Sequence, residues 1–167
     1  IVALLQTGRA PQASVSGPMA MVVLRSTQHL SDEDLLAMAR FLHGLPQRRG
    51  AAPAPSVPGP DLQALGPKVY ERHCADCHGD DGAGVAGIVP ALAGNRAVVM
   101  ARPDNVIRIV LGGGYAPATA GNPRPHGMPP FATVLGDAEV AAVVTHVRSA
   151  WGQHASAVTA LEVNRQR

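Results

Sequence analysis

Both cysteines of this 167-residue chain fall in one five-residue run, Cys74-Ala75-Asp76-Cys77-His78. Two thiols with two residues between them can bond the two vinyl groups on one edge of a porphyrin as thioethers. A histidine directly after the second thiol then lies beneath the iron as an axial ligand. The run is therefore read as the attachment site of one c-type haem, with Cys74 and Cys77 as covalent anchors and His78 as proximal ligand to the metal. Two other chemistries use the same cysteine spacing. A zinc site needs two further ligands at matching intervals, and the chain has no third cysteine. A dithiol redox site needs a preceding strand in an α/β pattern, whereas residues 66–73 (GPKVYERH) read as a short helix entering a glycine-rich loop.

Composition supports a chain that folds around something. It has only two Phe, two Tyr and one Trp to fill an interior, against 18 Gly and 15 Pro, so a haem would supply apolar bulk that the side chains lack. At this length the chain can build one good core, or a small core with an appendage. A formal net charge of +2, with neither a basic stripe nor stacking aromatics, gives no sign of nucleic acid as a partner. No apolar run approaches the roughly 18 to 20 residues needed to span a bilayer. No signal peptide is visible either. Covalent haem attachment implies an exported protein, so the expectation is a chain that is processed or begins partway through a longer one.

The second iron ligand is expected downstream. Met128 lies in Gly127-Met128-Pro129-Pro130-Phe131, a stretch that its prolines keep extended. A thioether is soft and neutral, favours ferrous iron, and opposite histidine gives a six-coordinate centre of raised potential. Met19, Met21, Met38 and Met100 are the other methionines; Met38 on a helix face and Met100 in a Val-Val-Met-Ala run read as packing. His126, two residues before Met128, is the rival ligand.

Between the two ligands, residues 79–87 (GDDGAGVAG) carry four glycines, which would let the loop turn tightly beneath the porphyrin edge. Pro90 lacks an N–H but keeps its carbonyl, which could accept a hydrogen bond from Nδ1 of His78 and orient the ring. Residues 106–111 (VIRIVL) read as a short helix stopped by Gly112-Gly113-Gly114. A last helix is expected from Gly136 to about Ala150, with Leu135 and Val140 as a hydrophobic staple and Glu139 closing back on its start. Val140, Val143, Val144 and Val147 form its apolar face, and Trp151 just beyond it is expected to cover the core.

The N-terminal part repeats this order. Residues 1–8 (IVALLQTG) align with 106–113 (VIRIVLGG), and 30–35 (LSDEDL) with 135–140 (LGDAEV), both at an offset of 105. Ser31 is the expected N-cap of the second arm helix, whose apolar face comprises Leu35, Met38, Ala39, Leu42 and Leu45. Residues 1–46 thus read as the C-terminal half of a preceding haem domain whose attachment motif would lie upstream, with Gly17-Pro18-Met19 as the counterpart of the Met128 stretch. Such an arm must pack on the remaining domain or on a neighbouring chain, with Leu35, Leu42 and Leu45 inward. Residues 47–60, rich in Pro and Ala, read as the linker.

On these motifs the sequence resembles the cytochrome c subunits, with three haem domains, of bacterial membrane-bound alcohol and gluconate-type dehydrogenases. The resemblance covers nearly the whole chain and rests on Gly17-Pro18-Met19, Ser26-Thr27-Gln28, Leu30-Ser31-Asp32, Cys74 to His78, Leu92-Ala93-Gly94-Asn95, Met128-Pro129-Pro130-Phe131 and Arg148-Ser149-Ala150-Trp151-Gly152. It implies the end of a second haem domain followed by a complete third one. The expected fold is all-α: a class I-like cytochrome c domain over 61–152, a helical remnant over 1–46, and a C-terminal tail over 153–167. It implies thioether attachment through Cys74 and Cys77, proximal ligation by His78 and distal ligation by Met128, with Met19 inheriting that role for the previous haem. The implied function is non-enzymatic: electron transfer by one covalent haem c, its iron cycling Fe(II)/Fe(III). Electrons would pass from a dehydrogenase catalytic subunit to ubiquinone, a terminal oxidase or another cytochrome. The implied location is the periplasm, at the outer face of the bacterial inner membrane, with homo-association through residues 1–46 as a further option. Two other classes are a haem enzyme or gas-binding sensor with a labile distal ligand, and an assembly module built on a vestigial haem domain.

Overall fold

The computed structural model describes residues 1–46 and 56–167, so most of the expected linker lies outside the described residues. The haem-motif part is built on two long helices, α4 (Pro60–His73) and α7 (Asp137–Ser149), which pack against each other. Leu62, Leu65 and Val69 recur at three- and four-residue intervals, and all three join the core, which explains why α4 begins well before the expected Gly66. Their burial outweighs the hydrogen bond that Pro67 removes from the helix interior. The two helices meet at Gly66, where an added Cβ would lie 2.7 Å from the Ala142 carbonyl oxygen and 2.8 Å from Cβ of His146.

After α4 the chain forms one further turn, α5 (Ala75–His78), then a long loop, then α6 (Asp104–Gly112). Residues 106–111 are helical as expected, and Val106, Ile107 and Leu111 face the core. Helix α7 is the expected last helix of the domain: Glu139 accepts from the Gly136 N–H at 2.9 Å, and Val140, Val143, Val144 and Val147 are buried. Residues 153–167 are more than a tail. Thr159 caps α8 (Ala160–Asn164) by accepting from the Glu162 N–H, and Val158 and Val163 are fully buried in the same core.

In the arm, α1 (Val2–Thr7) leads through Gly8 into a two-residue antiparallel pair, β1 (Arg9–Ala10) with β2 (Ala13–Ser14). Helices α2 (Pro18–Arg25) and α3 (Asp32–Gly44) follow, and Ser31 accepts from the Asp34 N–H as the expected N-cap. The 105-residue repeat is visible in three dimensions. Helix α6 likewise ends in a glycine that leads into an antiparallel pair, β3 (Gly114–Tyr115) with β4 (Gly127–Met128). The counterpart of Met128 differs from expectation. Gly114 pairs with Met128 and Arg9 pairs with Ser14, so Ser14 occupies the matching place, while Met19 lies exposed in the first turn of α2. Of the expected inward face, Leu35 is fully buried, but Met38, Leu42 and Leu45 are exposed. Helix α1, of six residues, is under half the length of thirteen-residue α3 and cannot cover its later turns.

Candidate haem-binding cleft

The cleft is built from sequence-distant pieces that converge on the C-x-x-C-H turn. Helix α4 stops at Cys74, whose carbonyl accepts from the N–H groups of Cys77 (3.2 Å) and His78 (2.9 Å). This turn places Cys74, Cys77 and His78 together on one wall. To the same cleft β4 and the following prolines bring Met128 and Phe131; α6 and α7 supply Val106, Val110 and Val143. The cleft encloses about 1430 Å³ of empty space, counting the part open to solvent, and apolar side chains predominate on its walls.

His78 is buried, and its Nδ1 lies 3.1 Å from the Pro90 carbonyl oxygen. A carbonyl only accepts, so Nδ1 carries the proton and Nε2 keeps a free lone pair, the state a metal ligand needs. Burial pulls the His78 pKa below the ordinary histidine value, and the Pro90 bond opposes that in part. Burial, then the neighbouring Cys77, pushes the Cys74 thiol up to about 11. Cys74 is half-buried and Cys77 exposed. Among the described residues, no group of three or more His, Cys, Asp and Glu side chains is gathered to hold a metal ion. Two thiols for thioethers, one imidazole with a free Nε2 and one thioether sulfur in an apolar cleft are a donor set that suits haem c.

Of the five methionines, Met128 alone lines the cleft. Its strand is clamped to the end of α6: Phe131 and Ala132 donate to the carbonyls of Val110 and Leu111, and a Cβ at Gly113 would collide with the Met128 carbonyl oxygen. His126 also lines the cleft but is exposed, whereas Met128 is half-buried.

The glycine-rich loop packs against aromatic side chains. Gly82 lies under the Trp151 ring, where a Cβ would come within 2.6 Å of it. Trp151 donates from its indole N–H to the Asp80 carbonyl at 3.0 Å, and Tyr70 donates to the Gly79 carbonyl at 2.6 Å. The tight turns thus fit the loop against two aromatic rings behind His78. Burial pushes the Tyr70 phenol up to about 12, with smaller contributions from Cys74, Asp80 and Asp81. Arg148, only 1 % exposed, donates to the carbonyls of Val98 (2.6 Å), Met100 (2.9 Å) and Ser156 (3.1 Å). It anchors the segment carrying Val98, another cleft residue, and its burial lowers its pKa. Its position on a valine-rich helix gave no sign of that role. Also unforeseen are the arm residues Arg9, Ser14, Val15 and Ser16 on the cleft wall.

A helical fold closed around an apolar slot that is lined by a C-x-x-C-H turn and a methionine defines a haem-bearing electron-transfer domain. Residues 63–151 match the cytochrome c family, and the chain belongs to it. Over its whole length it is 38 % identical to the cytochrome c subunit of the quinone alcohol dehydrogenase of Gluconobacter oxydans, covering 37 % of that protein. It is 36 % identical to the gluconate 2-dehydrogenase cytochrome c subunit of Pantoea cypripedii, with 95 % of this chain and 38 % of that subunit covered. Identity to Thermus thermophilus cytochrome c-552 is 34 %, over 54 % of this chain and 70 % of that protein. The chain spans little more than a third of the two dehydrogenase subunits it matches. Haem c is its cofactor, and one-electron transfer is what such a domain does.

Proposed function

We propose that this chain is the haem-relay portion of a dehydrogenase cytochrome subunit, with Cys74 and Cys77 as thioether anchors, His78 as proximal ligand and Met128 as distal ligand. The observation that carries the reading is the convergence of these four side chains on one apolar cleft. Bound haem c supplies reversible Fe(II)/Fe(III) exchange. The protein's own residues do the rest. Pro90 holds the His78 ring, the clamped β4 strand presents the Met128 sulfur, and the valines of α6 and α7 keep water from the interior of the slot. Residues 1–46 are the C-terminal half of a preceding domain of the same kind, on the strength of the shared helix–glycine–β-pair order.

The donor in this reading is a dehydrogenase catalytic subunit, the acceptor ubiquinone, a terminal oxidase or another cytochrome, and the setting the periplasm; the likeness to cytochrome c subunits of a quinone alcohol dehydrogenase and of a gluconate 2-dehydrogenase supports the dehydrogenase partner. Among the described residues no helix is long and apolar enough to cross a membrane. The deciding experiment is haem retention. Acid-acetone extraction of denatured protein should leave one haem on the chain, and replacing both Cys74 and Cys77 with Ala should release it. Free extraction from the unmodified protein would overturn the reading.

A further inference from the structure

We propose that the arm hairpin formed by residues 9–16 is a wall of the haem cleft contributed from outside the domain, with Arg9 as its clasp. The inference rests on the haem reading above and adds to it. Arg9, Ser14, Val15 and Ser16 line the same cleft as Cys74, His78 and Met128, although they precede the family-matched residues 63–151. The wall is fastened at three points. The Arg9 guanidinium donates to the Gly87 carbonyl and, at 2.9 Å, to that of Ile88, itself a cleft residue. Gln12 accepts from the Arg96 N–H at 3.0 Å. Gly8, at φ 76°, closes against the Pro117 ring, which a Cβ there would approach to 2.5 Å. The Val15 N–H donates to the Gly8 carbonyl at 2.9 Å and holds the hairpin shut.

The consequence is electrostatic as well as steric. Removing water from a haem edge and placing a fixed guanidinium at its rim both disfavour the more positively charged ferric state. Arg9 is half-buried, its bonds go to neutral carbonyls, and among the described residues no carboxylate is bonded to it. The arm therefore sets the haem's solvent access and raises its midpoint potential. Arg9 is a positioning residue in this scheme.

The test uses the full haem-loaded chain, with haem retention checked by intact mass, and compares Arg9→Ala, Arg9→Lys and Gly8→Val. Readouts are the midpoint potential and the rate of cyanide binding to the ferric form. Losing the two clasp hydrogen bonds in Arg9→Ala should lower the potential and speed cyanide binding by roughly five- to tenfold. Arg9→Lys keeps the charge and loses the two-carbonyl fork, so it should recover part of the potential but bind cyanide faster than the unmodified chain. Gly8→Val, which lifts the hairpin off Pro117 with Arg9 intact, should speed cyanide binding in the same sense. Retained haem with unchanged potential and cyanide rate in Arg9→Ala and Gly8→Val would overturn the wall while leaving the haem reading intact. Haem that extracts from the unmodified chain would overturn both.

Discussion

Met128 and His126 stand two residues apart on the same cleft, and the difference between them is how firmly each is held. Met128 sits on a backbone pair with Gly114 and is followed by two hydrogen bonds to the end of α6; His126 lies outside that clamp and is exposed. A ligand whose backbone is already fixed loses less conformational freedom on binding iron. Met128→Ala should accordingly leave the haem attached, lower its reduction potential and open the iron to carbon monoxide or cyanide. Redox titration and ligand-difference spectra check this, and the same changes in His126→Ala with none in Met128→Ala would reverse the assignment. The His78–Pro90 bond was legible beforehand because both partners lie close to the motif and the carbonyl can act only as acceptor.

At the scale of elements, the α4–α7 crossing decides how close the cleft walls stand. Gly66 lets the two helices approach to a distance at which any side chain meets the Ala142 carbonyl and His146. Gly66→Val should force them apart and cost about 1–3 kcal/mol, the usual range for overpacking a close-packed site. Chemical denaturation followed by far-UV circular dichroism measures this. His146 contributes a pH dependence from the same crossing. It packs tilted against Tyr70 and edge-on to Trp151, at ring separations of 5.3 and 5.8 Å, and burial lowers its pKa. Above its unfolded value of about 6.5 both states are neutral and stability is flat with respect to this group. As pH falls through that value the unfolded state takes up the proton first, so stability is lost until the folded group also titrates. His146→Gln should show a shallower loss of melting temperature than the unmodified chain as pH falls below 6.5. Parallel slopes would mean that this group carries none of it. Helix α6 shows that local punctuation is readable, since its glycine stop was visible in the sequence. The early start of α4 was not, because it depends on Leu62 and Leu65 finding a core made by α7 and other distant elements.

For the whole molecule, the arm is the feature that sequence described least well. Leu35 and Val23 are buried, while Met21, Leu36, Phe41 and Leu42 stay exposed, Phe41 at 68 %. Exposed apolar patches of this kind drive association. The chain should therefore self-associate with rising concentration, and Phe41→Ser should weaken that association without altering the haem spectrum; sedimentation velocity over a concentration series checks both. The final residues were equally hidden, because Val158 and Val163 join the core only through contacts with distant elements.

The sequence by itself determined whatever depends on covalent spacing and short-range chemistry: the haem anchors, the imidazole that follows them, the carbonyl that can hold it, the helix stops and the repeat. Tertiary structure alone decided which residues share a surface. It set Ser14 rather than Met19 at the place of Met128 in the repeat, turned the glycine loop against Trp151, and brought Arg9 to the cleft and Arg148 to the carbonyls beside it. Those partners are joined only through space, across up to about eighty residues of chain, and a side chain's periodicity carries no record of what a distant backbone carbonyl will present to it.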